Sequence, residues 1–351
     1  MTHTHHEEVL KRLTEIFADR VRRPAPGDGP GTEAALASVQ PSSSEEVGRL
    51  ADMAARYSVP VIPLGAGTGF EAREMEGGII VHFDLMRGLR SPRSEEAWIE
   101  AETGVSWLQL EDTLRPLGRG LVVYPTSAPR ATVGGWLARD GLGVGCFEYG
   151  WLRENIISAD VVLVGGERRE VSGAELGAFV APGSAMGIVV GARLKTRRAE
   201  ADVPFAAKFT DAEHLSHAVA GVSGAKVPLW HLAFLNPPMS RSRGLGGSYL
   251  LFGAYPRERE AKVAGPLGEL VKASGGRVLG AADTYRAWGE RLFPVAPSQP
   301  TPVPTDRLLM AVEDLSKALE RLSPQAVQGT VARSMEVLLL AFDVGVEGGL
   351  R

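Results

Sequence analysis

The sequence predicts an α+β protein with two domains, and three observations lead to this prediction. The chain has 351 residues, which is enough for two compact cores. A strand–helix–strand pattern opens the first half, whereas the order of strands and helices in the second half is typical of an antiparallel sheet. Many of the 42 glycines fall in short groups between residues 65 and 191, where a missing side chain lets a backbone approach a ligand closely.

Composition and charge exclude several classes of protein. The formal charge of −4 gives no general reason to expect nucleic-acid binding, and no apolar run is long enough to cross a bilayer. A single cysteine, Cys146, excludes an intrachain disulfide. The N-terminus, MTHTHHEEVLKRL, lacks the apolar stretch of a secretory signal, so a cytoplasmic protein is expected. Its early histidines are expected to form a solvated tail rather than a metal site.

Hydrophobic periodicity and turn residues then assign elements along the first half. The serines that open the segment 42–58 and the glutamates that follow them are a helix N-cap signal. Predicted helices are 7–20, 42–58 and 106–118. Predicted strands are 37–41, 59–64, 77–85 and 97–105, then a hairpin over 160–172 with a Gly-Gly turn and a long strand within 183–198. A Pro/Gly linker lies at 22–31, and residues 121–145 are dense in turn residues.

The second half is predicted as a smaller α+β cap with an antiparallel sheet. Its predicted strands are 229–236, 248–256 and 335–343, a strand–helix unit starts at 203–212, and further helices span 257–276 and 307–322. A proline-rich stretch, 293–306, indicates a linker or a rigid crossing. The expected domains are therefore an N-terminal helix and linker (1–31), a first domain (32–200) and the cap (201–351).

The loop Gly65-Ala66-Gly67-Thr68-Gly69 directly follows a predicted strand. Its backbone N–H groups can converge on a pyrophosphate, because small residues remove the Cβ atoms that would block it. A tight strand-to-strand turn explains the same residues equally well. No helix follows, so a Rossmann dinucleotide site is disfavoured.

Two later segments strengthen the ligand interpretation. The first runs from Pro125-Thr126 through Ala131-Thr132-Val133-Gly134-Gly135 to Gly141, and the second is Gly183-Ser184-Ala185-Met186-Gly187-Ile188-Val189. A long irregular stretch inside a compact domain is usually functional. Three such runs are difficult to explain as turns alone.

Six segments, taken in order, resemble the FAD-binding domain of FAD-linked oxidases of the vanillyl-alcohol-oxidase/PCMH type. They are VPVIPLGAGTGF, GGIIVHFDL, EAETGVSWLQLEDTL, PTSAPRATVGGWLARDGLG, YGWLRENIISADVVLVGG and GSAMGIVV. The resemblance covers residues 35 to 198 and implies a PCMH-type fold of two subdomains that binds FAD.

The resemblance also implies which residues bind the cofactor. The first loop would wrap the diphosphate, the Thr-Val-Gly-Gly segment would lie near the isoalloxazine and pyrophosphate, and the late Gly-Ile pair would touch the adenosine. The expected set is Leu64, Gly65, Ala66, Gly67, Thr68, Gly69, Phe70, Pro125, Thr126, Thr132, Val133, Gly134, Gly135, Gly141, Gly187, Ile188 and Val189. Bulky replacements of Gly134 or Gly135 are expected to prevent FAD binding, because a Cβ would occupy space that the cofactor needs.

The sequence departs from the family at several positions. Leu64 stands where many members have Arg, and Asp140 where many have Asn. Thr68 and the PTSAP run occupy the places of the His or Cys that attach FAD covalently in some members, so non-covalent FAD is expected. Cys146 lies beyond the motif and is expected to be a buried structural thiol.

The second half resembles, more faintly, the FAD-binding subunits of bacterial glycolate oxidases. The segment from Trp288 to Arg291 looks like the Trp-x-x-Arg helix of the family, whose Arg anchors a substrate carboxylate; a surface Arg is the alternative. His231 and Tyr149 are candidate bases, although a histidine in an apolar strand is more often structural. The family's His-containing metal motif is missing, so no metal is expected.

The resemblance implies an FAD-dependent oxidase or dehydrogenase that transfers hydride from a small 2-hydroxy acid, such as glycolate or D-lactate, to flavin N5. A second flavin subunit and an iron–sulfur subunit are the implied partners, and any attachment to a membrane would be through them. The alternative is an FAD-binding interaction subunit without substrate chemistry of its own.

Overall fold

A computed structural model of the chain describes residues 3–24, 34–67, 76–90, 96–181, 186–198, 201–292 and 302–344, with side chains from His5 onward. The chain divides into two compact units. The first unit comprises Met1–Leu117, Arg130–Asp140 and Ile156–Thr196, and the second comprises Gly118–Pro129, Gly141–Asn155 and Arg197–Arg351. Among the described residues, none of the helices combines the length and the apolar character needed to cross a bilayer.

The elements up to residue 198 are mostly short. The helices are α1 (His3–Phe17), α2 (Ser44–Tyr57), α3 (Trp107–Leu114), α4 (Val133–Leu137) and α5 (Cys146–Tyr149). The strands are β1 (Val21–Arg22), β2 (Ala37–Val39), β3 (Val61–Leu64), β4 (Ile79–His82), β5 (Leu89–Arg90), β6 (Trp98–Glu102), β7 (Arg119–Leu121), β8 (Ile156–Leu163), β9 (Arg168–Ser172) and β10 (Gly187–Arg198).

Two sheets form the framework of the first unit. In one, β2, β4 and β3 are parallel, and β1 joins β2 antiparallel. The other has the antiparallel order β5-β6-β10-β8-β9. The predicted hairpin is confirmed as β8 and β9, with Gly165 and Gly166 in its turn at φ values of 103° and 90°. Both glycines therefore adopt the left-handed conformation that tight hairpin turns require.

Helix α2 begins at Ser44, close to its predicted start at residue 42. The Ser43 hydroxyl accepts from the Glu46 N–H at 3.3 Å, while the Glu46 carboxylate accepts from the Ser42 N–H at 2.7 Å, as in a capping box. Glu46 also pairs with Arg20, whose two nitrogens lie 2.6 Å from its two oxygens. Hydrogen bonds from Arg20 lower the pKa of Glu46 to about 2, and the carboxylate ties the start of α2 to the end of α1.

The N-terminal helix is part of the first unit, not a separate segment as the predicted boundary at residue 31 implied. Val9, Leu13 and Phe17 of α1 are fully buried in one apolar cluster with residues of α2, β2 and β4. These three residues recur every four positions and form the apolar face that the sequence predicts for this helix. What the sequence cannot show is that this face is covered by the first unit.

The second unit contains one antiparallel sheet of seven strands in the order β14-β11-β13-β12-β16-β17-β15. Its strands are β11 (Asp202–Phe209), β12 (His231–Leu235), β13 (Tyr249–Pro256), β14 (Arg277–Val278), β15 (Asp306–Ala311), β16 (Ala326–Val331) and β17 (Glu336–Phe342). Its helices are α6 (Ala212–Gly224), α7 (Pro237–Ser242), α8 (Glu260–Ala273), α9 (Ala281–Gly289) and α10 (Leu315–Arg321). The expected α+β class and antiparallel cap sheet are confirmed.

The two faces of this sheet carry different side chains. A large apolar cluster packs α6, α8 and α10 against one face. The strand registers place His231, Leu235 and Gln328 on the opposite face, where Leu235 contributes to an apolar cluster with Ala287 of α9 and Met239 of α7. His231 and Gln328 therefore lie on the face of the sheet that α7 and α9 approach.

Two predicted assignments differ in the structure. The helix expected over 307–322 begins only at Leu315, because residues 306–311 form the edge strand β15 by pairing with β17. Residues 118–129 and 141–155, predicted as part of the first domain, belong to the second unit. Within that unit, a Cβ on Gly143 would overlap the Tyr124 carbonyl oxygen, so a glycine is needed for these two segments to pack together.

Candidate functional site

The first glycine loop follows the C-terminal end of the parallel strand β3. In the described part of the chain, the N–H groups of Ala66 and Gly67 donate to no backbone carbonyl. Gly67 has φ +68°, and no atom of the described residues lies within 4 Å of the position that its Cβ would take. Thr68, Gly69 and Phe70, three expected cofactor residues, lie outside the described residues. Within the described residues, this loop has two amides without a backbone acceptor and open space beside Gly67, features that suit a diphosphate.

The Thr-Val-Gly-Gly segment meets this loop. A Cβ on Gly65 would lie 2.6 Å from Thr132 Oγ1 and 3.3 Å from Gly135 Cα. Thr132 is the N-cap of α4, and its hydroxyl accepts from the Gly135 N–H at 3.2 Å. The structure therefore brings together two of the three glycine segments that the sequence singled out.

The amides at the start of α4 are already used inside the protein. The Gly134 N–H donates to the Thr103 carbonyl at 2.9 Å, and the Val133 N–H donates to Val105 at 2.8 Å. A Cβ on Gly134 would overlap Thr103 Oγ1, and one on Gly135 would lie 3.0 Å from Thr132 Oγ1. Close packing between protein segments is therefore one reason for glycine at these two positions, and the expected need for cofactor space stays a prediction.

The third segment enters the same unit through β10. Ile188 is buried in the apolar cluster beneath the parallel sheet, so its side chain is a core residue, and only its backbone could serve the predicted adenosine contact. A Cβ on Gly187 would lie 2.5 Å from the Val162 carbonyl oxygen, while Val189 is 8% exposed. Gly183, Ser184 and Ala185 lie outside the described residues.

Thr103 connects these segments and was not singled out from the sequence. It is 2% exposed, its N–H donates to the Val190 carbonyl at 3.1 Å, and its own carbonyl accepts from Gly134. It occupies the turn Glu102-Thr103-Gly104 directly after β6, where a Cβ on Gly104 would overlap the Phe83 carbonyl oxygen. The sequence signal that could have identified Thr103 was the glycine that follows it at the end of a predicted strand.

The remaining cofactor candidates divide between the units. Leu64 is buried against Ile80 in the first unit, and a leucine supplies no charge for a phosphate. Pro125, Thr126 and Gly141 belong to the second unit. Pro125 begins a turn that the Ala128 N–H closes at 3.0 Å, and Thr126 is 6% exposed.

Asp140, at the position where many family members have Asn, is buried with φ +45°. Asn and Asp are the residues other than glycine that most readily adopt this left-handed conformation. The backbone at this position therefore accommodates the departure from the family pattern.

Arg291 lies just beyond α9, not within a helix as the predicted Trp-x-x-Arg helix implied, because α9 ends at Gly289. Its Nη1 donates to the Trp288 carbonyl at 2.9 Å, and its guanidinium carbon lies 4.4 Å from the Trp288 ring centroid. Nε and Nη2 are each 3.4 Å from the Tyr124 hydroxyl oxygen. No carboxylate of the described residues pairs with Arg291, so the edge of the guanidinium that suits a carboxylate faces a phenol instead.

His231 lies in β12 beside the same group and is fully buried. Its Nδ1 accepts from the Gly145 N–H at 3.4 Å, which leaves the ring proton on Nε2, and Nε2 has no partner among the described residues. Burial, with a smaller effect from the charge of Arg291, lowers the pKa of His231 to about 3. The ring is 5.8 Å from that of Trp288, so the neutral imidazole stands in an aromatic environment.

Three aromatic rings enclose this part of the second unit. Trp230 lies 6.1 Å from Tyr124 and 6.1 Å from Trp288, measured between centroids. The Trp230 indole N–H donates to the Val122 carbonyl at 3.0 Å, so the ring position is fixed. We call Tyr124, Trp230, His231, Trp288 and Arg291 the anion cage. The sequence analysis named Arg291 and His231 as candidate site residues and Trp288 as part of the Trp-x-x-Arg segment. The signal for Tyr124 was a polar aromatic residue beside the PTSAP run.

Tyr149, the other candidate base, is half-buried at the end of α5. It lies close enough to Arg259 to contribute to the raised pKa of that guanidinium, whose largest cause is the hydrogen bond to Glu148. Cys146 begins the same helix and is fully buried, with its sulfur accepting from the Gly143 N–H at 3.0 Å. In the part of the chain that the structure describes, no three His, Cys, Asp or Glu side chains converge as metal ligands do.

The family described as "FAD binding domain" matches residues 35–172, which contain the first two glycine segments and Thr103. Residues 35–172 are an FAD-binding domain. The resemblance to FAD-linked oxidases and the expectation of FAD as cofactor are thereby confirmed. The loop of this FAD-binding domain offers backbone donors and space at Ala66 and Gly67, in agreement with the match.

Similar proteins agree with this assignment. The mitochondrial D-lactate dehydrogenase (cytochrome) of Arabidopsis thaliana is 32% identical over 131 residues, which are 37% of this chain and 23% of the relative. Glycolate oxidase subunit GlcD of Bacillus subtilis is 25% identical over 212 residues, which are 57% of this chain and 45% of the relative. The chain thus spans less than half the length of these relatives.

A solved structure shares the fold of this chain. The structure of p-cresol methylhydroxylase with bound substrate matches with a TM-score of 0.74 and 14% identity, over 98% of this chain and 84% of that one. The predicted PCMH-type fold is confirmed, and because the coverage is nearly complete, it extends through the second unit as well as the FAD-binding domain.

Proposed function

We propose that this chain is an FAD-dependent oxidoreductase that oxidises a small 2-hydroxy acid, such as glycolate or D-lactate, to the 2-oxo acid. The observation that carries the proposal is the anion cage, in which Arg291 presents its Nε–Nη2 edge without a carboxylate partner among the described residues. The names of the relatives, which include D-lactate dehydrogenases and a glycolate oxidase subunit, supply the substrate class.

The substrate carboxylate would bind between Arg291 and Tyr124. The two nitrogens of the guanidinium edge can each donate to one carboxylate oxygen, which is the bidentate geometry that Arg favours. The contacts of 3.4 Å to the Tyr124 oxygen are long for hydrogen bonds, so a carboxylate can replace them at little cost. Trp288 under the guanidinium keeps it in place and partly shields it from water.

The rings of the cage restrict the size of the acid. Tyr124, Trp230 and Trp288 stand within 6.1 Å of their neighbours, and rigid aromatic walls accommodate few atoms beyond the carboxylate. This arrangement supports two- or three-carbon acids over longer ones. Bound FAD would supply N5 as the acceptor of the hydride that leaves the substrate Cα.

His231 is better suited to donate a hydrogen bond than to act as a base. Its Nδ1 is engaged by the Gly145 N–H, and its remaining Nε2–H is a buried donor without a partner among the described residues. A pKa of about 3 makes it a weak base. Tyr149 stays a candidate for the group that accepts the hydroxyl proton.

Non-covalent FAD is part of the proposal. A covalent link requires a nucleophile at the flavin, and the one cysteine of the chain is fully buried with its sulfur bonded to Gly143. We further propose a cytoplasmic protein that works with a second flavin subunit and an iron–sulfur subunit. The glycolate oxidase subunit among the relatives supports an assembly, because its name describes one subunit of a larger enzyme.

The test is anaerobic mixing of the purified, FAD-loaded chain with glycolate or D-lactate while the flavin absorbance is recorded. Bleaching by the acid, but not by the uncharged ethylene glycol, is expected. Arg291→Met should abolish bleaching at equal FAD content, while Arg259→Met, which removes an Arg of the same unit outside the cage, should retain it. Stoichiometric FAD with no bleaching by either acid would support the alternative of a non-catalytic FAD-binding subunit.

A further inference from the structure

The turn 290–292, which carries Arg291, is held by two buried side chains from other elements. Gln328 of β16 donates through Nε2 to the Arg291 carbonyl at 3.1 Å. Arg243, which follows α7, donates through Nη1 to the Leu292 carbonyl at 2.9 Å and lies 3.5 Å from Glu290. Two successive carbonyls of this turn are therefore fixed by side chains that do not belong to the cage.

Gln328 is an unusual residue for its position. It is 1% exposed and pairs in register with Leu235 on one side and Leu340 on the other, both part of an apolar layer. Its Oε1 is buried and has no hydrogen-bond partner among the described residues. Burying an amide with only one of its groups satisfied opposes folding, and an apolar residue of the same size would avoid this loss. Stability alone does not explain Gln328.

We propose that Gln328 is a positioning residue for the anion cage. By holding the Arg291 carbonyl, it fixes the backbone from which the guanidinium extends toward Tyr124. The Nη1 bond to the Trp288 carbonyl fixes the other end of the side chain. A long Arg held at both ends loses little further freedom when a carboxylate binds, so the affinity of the site depends on Gln328 without any contact to the substrate. This inference rests on the proposed carboxylate-binding role of Arg291.

The test replaces Gln328 by Met, which keeps the length but cannot donate to the carbonyl. With glycolate or D-lactate, whichever bleaches the flavin, Gln328→Met should raise KM about tenfold and change kcat by less than about twofold. Oxalate, a non-reacting dicarboxylate, provides a readout that does not require turnover. Its dissociation constant, from tryptophan emission, should rise by about the same factor.

Two controls separate positioning from general destabilisation. Ser216→Ala removes a buried donor to a carbonyl, Ala212 at 2.7 Å, from α6 on the opposite face of the same sheet, and should leave KM and oxalate binding unchanged. If Gln328→Met does not fold, Gln328→Asn is used, because it keeps an amide that is too short to reach the carbonyl.

The outcomes distinguish this inference from the function it rests on. If Arg291→Met weakens oxalate binding and Gln328→Met does not, the positioning role is wrong and the carboxylate site stands. If Arg291→Met leaves oxalate binding unchanged, the proposed carboxylate site fails, and the positioning role fails with it. A loss of kcat in Gln328→Met with unchanged KM and unchanged oxalate binding would also overturn the positioning role.

Discussion

The Gly134 N–H donates to the Thr103 carbonyl at 2.9 Å, and the space that a Gly134 side chain would need is filled by the Thr103 hydroxyl. The Thr-Val-Gly-Gly segment is thus fitted against the turn after β6, and on its other side Gly135 lies against Gly65 of the cofactor loop. Packing within the protein is therefore a reason for glycine at these positions, in addition to the predicted space for the cofactor.

Gly134→Ala should therefore destabilise the FAD-binding domain as well as reduce its FAD content. Forcing a methyl group against Thr103 is an overpacking change, and we expect a loss of about 3 kcal/mol in the free energy of unfolding. Urea unfolding of the FAD-free protein measures it. Gly177→Ala, in the same unit with no atom within 4 Å of the new Cβ, is the matched control. If Gly134→Ala lost FAD but kept its stability, the need for glycine would come from the space that the cofactor occupies.

Gly67→Ala should weaken FAD binding more than it reduces the stability of the fold. Its Cβ would meet no atom of the described residues, so only the φ of +68° opposes the substitution, at a cost of about 1 kcal/mol in stability. If the open space beside Gly67 is where FAD binds, the dissociation constant of FAD should rise by more than this strain explains. Flavin fluorescence titration measures it, with Gly77→Ala (φ +68° and equally open) as control. Equal FAD affinity in both variants would place the diphosphate elsewhere.

Tyr124→Phe tests the hydroxyl that faces Arg291. A substrate carboxylate bound between the two would lose one hydrogen bond, worth about 1 kcal/mol, so KM should rise about fivefold. The ring stays, so the contact with Trp230 and the fold should be preserved. Steady-state kinetics with the acid that bleaches the flavin provide the measurement. A KM equal to that of the unmodified chain would show that the acid does not reach Tyr124.

The buried His231 should make the protein sensitive to acid. Burial holds its folded-state pKa at about 3, below the ordinary value of 6.5, so between these pH values the unfolded chain takes up a proton that the folded chain does not. The stabilising contribution is complete above about pH 6.5 and should decline by about 1.4 kcal/mol per pH unit as the pH falls toward 3. Denaturant unfolding between pH 7 and 5 measures this slope.

The matched variant for this measurement is His231→Gln, which has no titrating group. Its unfolding free energy should depend less steeply on pH than that of the unmodified chain, whatever its stability at pH 7. The same slope in both proteins would mean that burial does not lower the pKa of His231 in the folded state.

Local sequence patterns predicted much of the fold. The α2 cap depends on residues three and four positions apart, and the Gly-Gly turn of β8 and β9 depends on adjacent ones, so both can be recognised without distant contacts. The helix expected over 307–322 was wrong at its start because residues 306–311 pair with β17, thirty residues later. An apolar run of this length is equally compatible with a strand or a helix until its partner is known.

For the candidate site, the sequence alone determined the three glycine segments, the lack of a cysteine positioned for a flavin link, and the presence of Arg291 and His231. Only the tertiary structure decided which groups these residues meet. It placed Thr103 between two of the segments, Tyr124 against the guanidinium of Arg291, and Gln328 behind its carbonyl. The physical reason is that conformational freedom and side-chain chemistry are properties of single residues. A hydrogen bond or a close contact between two distant residues exists only once the chain has folded and packed them together.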